Sequence, residues 1–149
     1  MPADLFSRAI PLQAAELSAA QEALARFLEG HGVAPIVTQR VALVVEELVA
    51  NLIHHARFEG PPPPARLTAA FGTAEIRLRL EDAAAPFDPR ERPDPALPPD
   101  PVRDFQGGLG LPLVRRMAEL RSYGPAPDGW NRLELAVPNR RELAPDSVT

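Results

Sequence analysis

Apolar residues run almost unbroken along Val41–Ala56, which reads VALVVEELVANLIHHA, interrupted by two pairs, Glu46/Glu47 and His54/His55, and by Asn51. A helix this apolar must bury most of its surface. Glu47 and Asn51 lie four apart, so they stand one above the other beside the stripe of Val44, Leu48 and Leu52. Earlier, Gln13–Glu29 places Leu17, Ala20, Leu24, Phe27 and Leu28 at helical spacing, with Gly30 and Gly32 as the stop. Pro35 suits the first turn of the central helix, which is expected to reach about Arg57. Leu5–Ile10 reads as an edge strand stopped by Pro11.

Arg66–Phe71 and Glu75–Asp82 read as two strands joined at Gly72-Thr73. In the second, Ile76, Leu78 and Leu80 alternate with Arg77, Arg79 and Glu81, one face dry and the other wet. Asn131–Val137 repeats the alternation through Leu133, Leu135 and Val137, with Pro138 as the stop. A third helix is expected from about Leu111 to Leu120. Helices followed by antiparallel strands, with one helix inserted late, predict an α+β domain of one sheet covered by helices on one face. Pro61–Pro64 is a stiff connector. The prolines and aspartates of residues 89–106 exclude helix and central strand, and predict a lid loop. Residues 139–149 read as a polar, frayed tail.

Composition narrows the chemistry. A length of 149 residues fits one domain, assigned to residues 1–138. Without Cys there is neither a disulfide nor a thiolate ligand or nucleophile. Neither a signal-peptide order nor a membrane-length apolar run is present, so a cytoplasmic protein with no membrane contact is expected. A net charge of -4 speaks against direct nucleic-acid binding. No Lys occurs, so P-loop chemistry is excluded and any anion must meet Arg or backbone N–H groups.

Against that background, Glu47 and Asn51 fit metal-assisted phosphoryl transfer: the amide oxygen is a ligand for Mg²⁺, and the carboxylate a proton acceptor for an attacking hydroxyl or water. The same pair would also serve as buried polar groups bonded to backbone. Asp82 ends the alternating strand before Ala83, Ala84, Ala85, Pro86 and Phe87, where a flat ring could reach the backbone and give Asp82 a hydrogen bond from an exocyclic amine. In Gly107-Gly108-Leu109-Gly110-Leu111-Pro112, glycines at a helix entrance bare N–H groups to an anion at the positive end of the helix dipole.

Taken in order, Glu-x-x-x-Asn, the strand-end Asp, the long loop and the glycine-rich helix start resemble the GHKL ATP-binding superfamily, and within it the single-domain anti-sigma-factor serine kinases. EELVANLIHHA resembles the N-box, AAAPFDP after Asp82 the adenine-binding motif, and GGLGLPLVRRM the second glycine box. Tyr123 with Gly129–Leu133 resembles the closing turn and last strand. The family glycine two residues after the adenine Asp is Ala84 here. The resemblance implies a two-layer α/β sandwich of the Bergerat type holding ATP and Mg²⁺. It implies Glu47 as the catalytic base and Asn51 as the Mg²⁺ ligand. It implies Asp82, Ala84, Phe87, Gly107, Gly108, Leu109, Gly110 and Leu111 as nucleotide contacts. The implied activity is phosphorylation of a serine on a small STAS-like antagonist of an anti-sigma factor, with sequestration of a sigma factor and hence transcription regulation; a homodimer is left open. Two other classes stay open: a non-catalytic nucleotide-gated binding module, and a degenerate pseudo-kinase.

Overall fold

The computed structural model describes residues 4–87 and 110–142. Two helices come first after an opening strand. Strand β1, Leu5–Ile10, leads into α1, Ala14–Gly30, and then α2, Pro35–His54. The stop after α1 is the expected one: Gly32 takes a left-handed φ of 75°, which lets its N–H reach Glu29 O at 3.0 Å and that of Val33 reach Leu28 O at 3.1 Å. Pro35 occupies the first turn of α2. That helix ends at His54, three residues short of expectation, where the N–H groups of His55 and Ala56 both turn back to Asn51 O.

The hairpin follows as read from the alternation, with β2 at Ala65–Ala70 and β3 at Glu75–Asp82. Ile76, Leu78 and Leu80 are buried while Arg77 and Arg79 are exposed. Helix α3 spans Gly110–Met117, then β4, Glu119–Pro125, and β5, Asn131–Pro138, close the fold. The sheet order is β1-β2-β3-β5-β4, every neighbouring pair antiparallel. Strands β3 and β4 therefore point the same way, α3 carries the chain between them, and β5 fills the gap. Helices α1, α2 and α3 share one core with the inward residues of the strands. The opposite sheet face carries cross-strand ion pairs: Arg79–Glu134 at 3.3 Å, exposed enough to add little stability, and the part-buried Arg132–Glu81 at 2.9 Å. This is the α+β architecture that the alternation and helical spacing predict.

Two further boundaries need correction. The third helix stops at Met117 instead of about Leu120, because Glu119 onwards is an edge strand. The tail is tied down at its start. Asn139 N–H donates to Ala74 O and its amide to Gly72 O, while the Arg40 guanidinium donates to the carbonyls of Arg140 and Arg141 at 3.0 and 2.6 Å. Residues 143–149 lie outside the described residues, as does the expected lid at 89–106. Among the described residues no helix is long and apolar enough to cross a membrane.

Candidate functional site

Strand register brings the last residue of β3, Asp82, opposite the first residue of β5, Asn131. Asn131 is 7% exposed, so its amide needs partners inside the protein. It finds them by donating from Nδ2 to Asp82 Oδ1 at 2.9 Å and to Ala84 O at 2.7 Å. Ala84 N–H donates to the same Asp82 Oδ1, also at 2.9 Å. Both bonds fall on Oδ1, and among the described residues Oδ2 receives none. Burial pushes the Asp82 carboxyl above its ordinary pKa, with the Asn131 amide and the Ala84 N–H pulling part of the way back. The result is a fixed carboxylate with one oxygen held by the fold and the other left for a donor.

Ala84 stands where the resemblance has glycine. No described residue other than glycine has a positive φ, so Ala84 adopts backbone that an alanine takes without strain. It lines a cleft of about 500 Å³.

That cleft lies between the C-terminal half of α2 and the Asp82 end of the sheet. Leu48 and Leu52 face Leu80 and Leu133 across it, and Asn51 and Asp82 supply polar atoms. Two bonds tie parts of its lining together: Ala85 N–H donates to Arg57 O at 2.8 Å, and Phe87 N–H donates to the Tyr123 hydroxyl at 2.8 Å. Phe87, although 54% exposed, lines the cleft, as does His55. The volume suits a nucleoside-sized ligand: apolar walls for a flat ring, with a few convergent polar groups. His54 is exposed. His31, for which the sequence names no partner, packs between Phe27 and Phe71 and donates from Nδ1 to Phe27 O at 2.9 Å.

Glu47 sits one turn towards the N-terminus of α2 from Asn51, half-buried. Burial first, and then the neighbouring charge of Glu46, raises its pKa above the ordinary carboxylate range. The first residue of α3, Gly110, comes so close that a Cβ there would stand 2.5 Å from Glu47 Oε2. Leu111 is 2% exposed and belongs to the core, so its side chain is not offered to a ligand. Gly107, Gly108 and Leu109 lie outside the described residues. Fold and chain order thus gather Asn51, Asp82, Ala84 and Phe87 around one cleft, with Glu47 and Gly110 together beside it.

Sequence reasoning missed Asn131 as part of the site. A polar residue opening an alternating strand reads as a strand start, and its partners lie 49 and 47 residues away. Asn131→Ala should destabilise the protein by about 1–3 kcal/mol, since it strands the buried Ala84 carbonyl and leaves Asp82 Oδ1 with the Ala84 N–H as its one remaining donor among the described residues. Urea unfolding checks this; an unchanged midpoint would mean that the network does not hold the strand end.

The donor set also bears on metal binding. Among the described residues no three His, Cys, Asp or Glu side chains converge as a metal cage. A single amide oxygen at Asn51 fits Mg²⁺ that arrives largely coordinated by phosphate and water.

A family model described as the histidine kinase-like ATPase domain matches residues 10–136. The serine/threonine-protein kinase BtrW of Bordetella bronchiseptica is 33% identical over 95 residues, which is 64% of this chain. The match spans 66% of that relative's length, just under two thirds. Among solved structures, a chain from the SiaB–SiaC complex of Pseudomonas aeruginosa superposes with a TM-score of 0.51 at 15% identity, covering 89% of each chain, a likeness of fold alone.

Proposed function

The chain belongs to the histidine kinase-like ATPase domain family, and from that premise we propose that it is an ATP-dependent protein-serine kinase of the anti-sigma-factor type. The observation that supports this most is the arrangement along α2. Asn51 lines the cleft that Asp82 closes at one end, and Glu47, one turn further, lies against the start of α3.

In this reading Asp82 Oδ2 accepts a hydrogen bond from the adenine amine, and the leucines of α2 and the sheet take the faces of the ring. Asn51 directs its amide oxygen towards Mg²⁺, which when bound offsets the charge of the phosphates. The backbone at Gly107, Gly108 and Gly110 donates to phosphate oxygens. Glu47 accepts the proton of a serine hydroxyl as its oxygen bonds to the γ-phosphorus and the bond to the ADP oxygen breaks. The raised pKa of Glu47 suits a base that must hold a proton after transfer.

The acceptor is a serine on a small STAS-like antagonist protein, and a sigma factor competes with that antagonist for the kinase. BtrW, a serine/threonine-protein kinase by name, supports the activity. Residues 1–138 form the single functional domain, with residues 89–106 as its lid. Ala84, the ground for a degenerate pseudo-kinase, sits on backbone that needs no glycine, which supports retained function. Incubation with γ-labelled ATP and candidate antagonist domains from the same organism should label a serine on one of them. ATP binding without label in any acceptor would leave a nucleotide-gated binding module instead.

A further inference from the structure

Glycine at the start of a helix usually has a backbone reason, and at Gly110 that reason is missing. The glycines with positive φ among the described residues are Gly32, Gly60 and Gly129, so Gly110 takes a conformation open to any residue. It is the first residue of α3, where glycine stabilises a helix less than alanine does. What a side chain at this position would meet first, among the described residues, is Glu47. The nearest atoms to a built Cβ are Glu47 Oε2 at 2.5 Å, Cδ at 3.5 Å and Cβ at 3.9 Å.

From this contact we infer that Gly110 is a positioning residue whose missing side chain leaves the space that Glu47 occupies. The inference rests on the proposed role of Glu47 as the base, and concerns what fixes its carboxylate. Helices α2 and α3 pack against each other, and Val44 and Leu48 of the one and Leu111 and Val114 of the other are all buried in the common core. The distance between Gly110 and Glu47 is thus set by that packing, and neither helix can retreat without opening the core. The carboxylate is the flexible partner. A methyl at position 110 would be accommodated by turning Glu47 away, at little cost to the fold and at the expense of alignment with the acceptor hydroxyl. Misplacing a reacting group by about 1 Å can cost on the order of 100-fold in rate.

The contact also separates two uses of the same glycine. Its N–H is retained in an alanine, so donation to a phosphate would survive Gly110→Ala. The space would not.

The test is a four-protein cycle of the unmodified chain, Gly110→Ala, Glu47→Gln and the double variant. Thermal midpoint, Mg-ATP affinity and the rate of γ-phosphoryl loss from labelled ATP are measured for each. The carboxyl carbon of Glu47 is titrated by NMR in nucleotide-free protein for the two chains that keep it. Gly110→Ala should hold or raise the thermal midpoint and keep Mg-ATP affinity within about twofold. It should bring the Glu47 titration back towards that of an ordinary solvated carboxylate, and slow γ-phosphoryl loss by about 10- to 100-fold. In the Glu47→Gln background the added alanine should change the rate no further. An unchanged Glu47 titration in Gly110→Ala overturns the inference, as does an equal further loss in the Glu47→Gln background, which would place the effect of the glycine on phosphate. Full activity in Glu47→Gln would instead refute the base role and leave the steric inference to be judged by the titration alone.

Discussion

Glu47→Ala should bind Mg-ATP as the unmodified protein does and transfer its γ-phosphoryl group about 10²- to 10⁴-fold more slowly, the usual contribution of a general base. Asn51→Ala should lose both binding and transfer. The division follows from position: Asn51 lines the cleft, whereas Glu47 lies outside it against Gly110. A base must be ionised to accept a proton, and burial together with Glu46 raises the pKa of Glu47. The acid limb of the rate profile should therefore lie above the ordinary carboxylate range, and Glu46→Gln should move it down. Calorimetric titration of nucleotide and a pH profile of phosphoryl transfer check the two parts. Loss of ATP binding in Glu47→Ala with none in Asn51→Ala would reverse the assignment.

Asp82→Asn should weaken ATP binding by about 10- to 100-fold without destabilising the empty protein. Asp82 Oδ1 accepts from both Asn131 and Ala84 N–H, so a substituted amide must turn its oxygen to them. Its NH₂ then faces the cleft, donor against the donor amine of adenine, and a charge-assisted bond of about 1.5–3 kcal/mol is lost. Stability goes the other way. The folded-state pKa of Asp82 is raised, so the folded protein holds this proton more tightly than the unfolded chain. Its contribution is fully present below the unfolded pKa and disappears as pH rises through the folded one. At neutral pH the ionised, desolvated carboxylate is a liability that the amide removes. The variant should melt at or above the temperature of the unmodified protein at neutral pH, and this difference should shrink on acidification. ATP and ADP should be weakened alike, since Asp82 addresses the base and not the phosphates.

How much of this was legible in the sequence depended on how local each signal is. The core face of α2, the alternation in β3 and β5 and the glycine stop after α1 are written in neighbouring residues. Glu47 and Asn51 share a helix face by spacing alone. Strand β4 was invisible for a physical reason. It is an edge strand, largely exposed, and its pairing slips between Leu120 and Ser122, so Glu119–Pro125 shows no clean alternation. Its first residues therefore read as the end of a helix. Sheet order was equally hidden, because the insertion of β5 between β3 and β4 is a long-range choice. So was the docking of the tail, where Arg40 reaches carbonyls 100 and 101 residues away. The site shows the same division. Asp82 was visible as a strand-end carboxylate, whereas Asn131 beneath it and the closeness of Gly110 to Glu47 exist only once the chain has folded.

The central claim is that the cleft at Asp82 reads adenine, and calorimetric titration of the unmodified protein with Mg-ATP and with Mg-GTP tests it most directly. A carboxylate oxygen that only accepts should bind ATP at least about tenfold more tightly than GTP, whose carbonyl in place of the amine meets an acceptor with an acceptor. Equal affinity for the two nucleotides would contradict it.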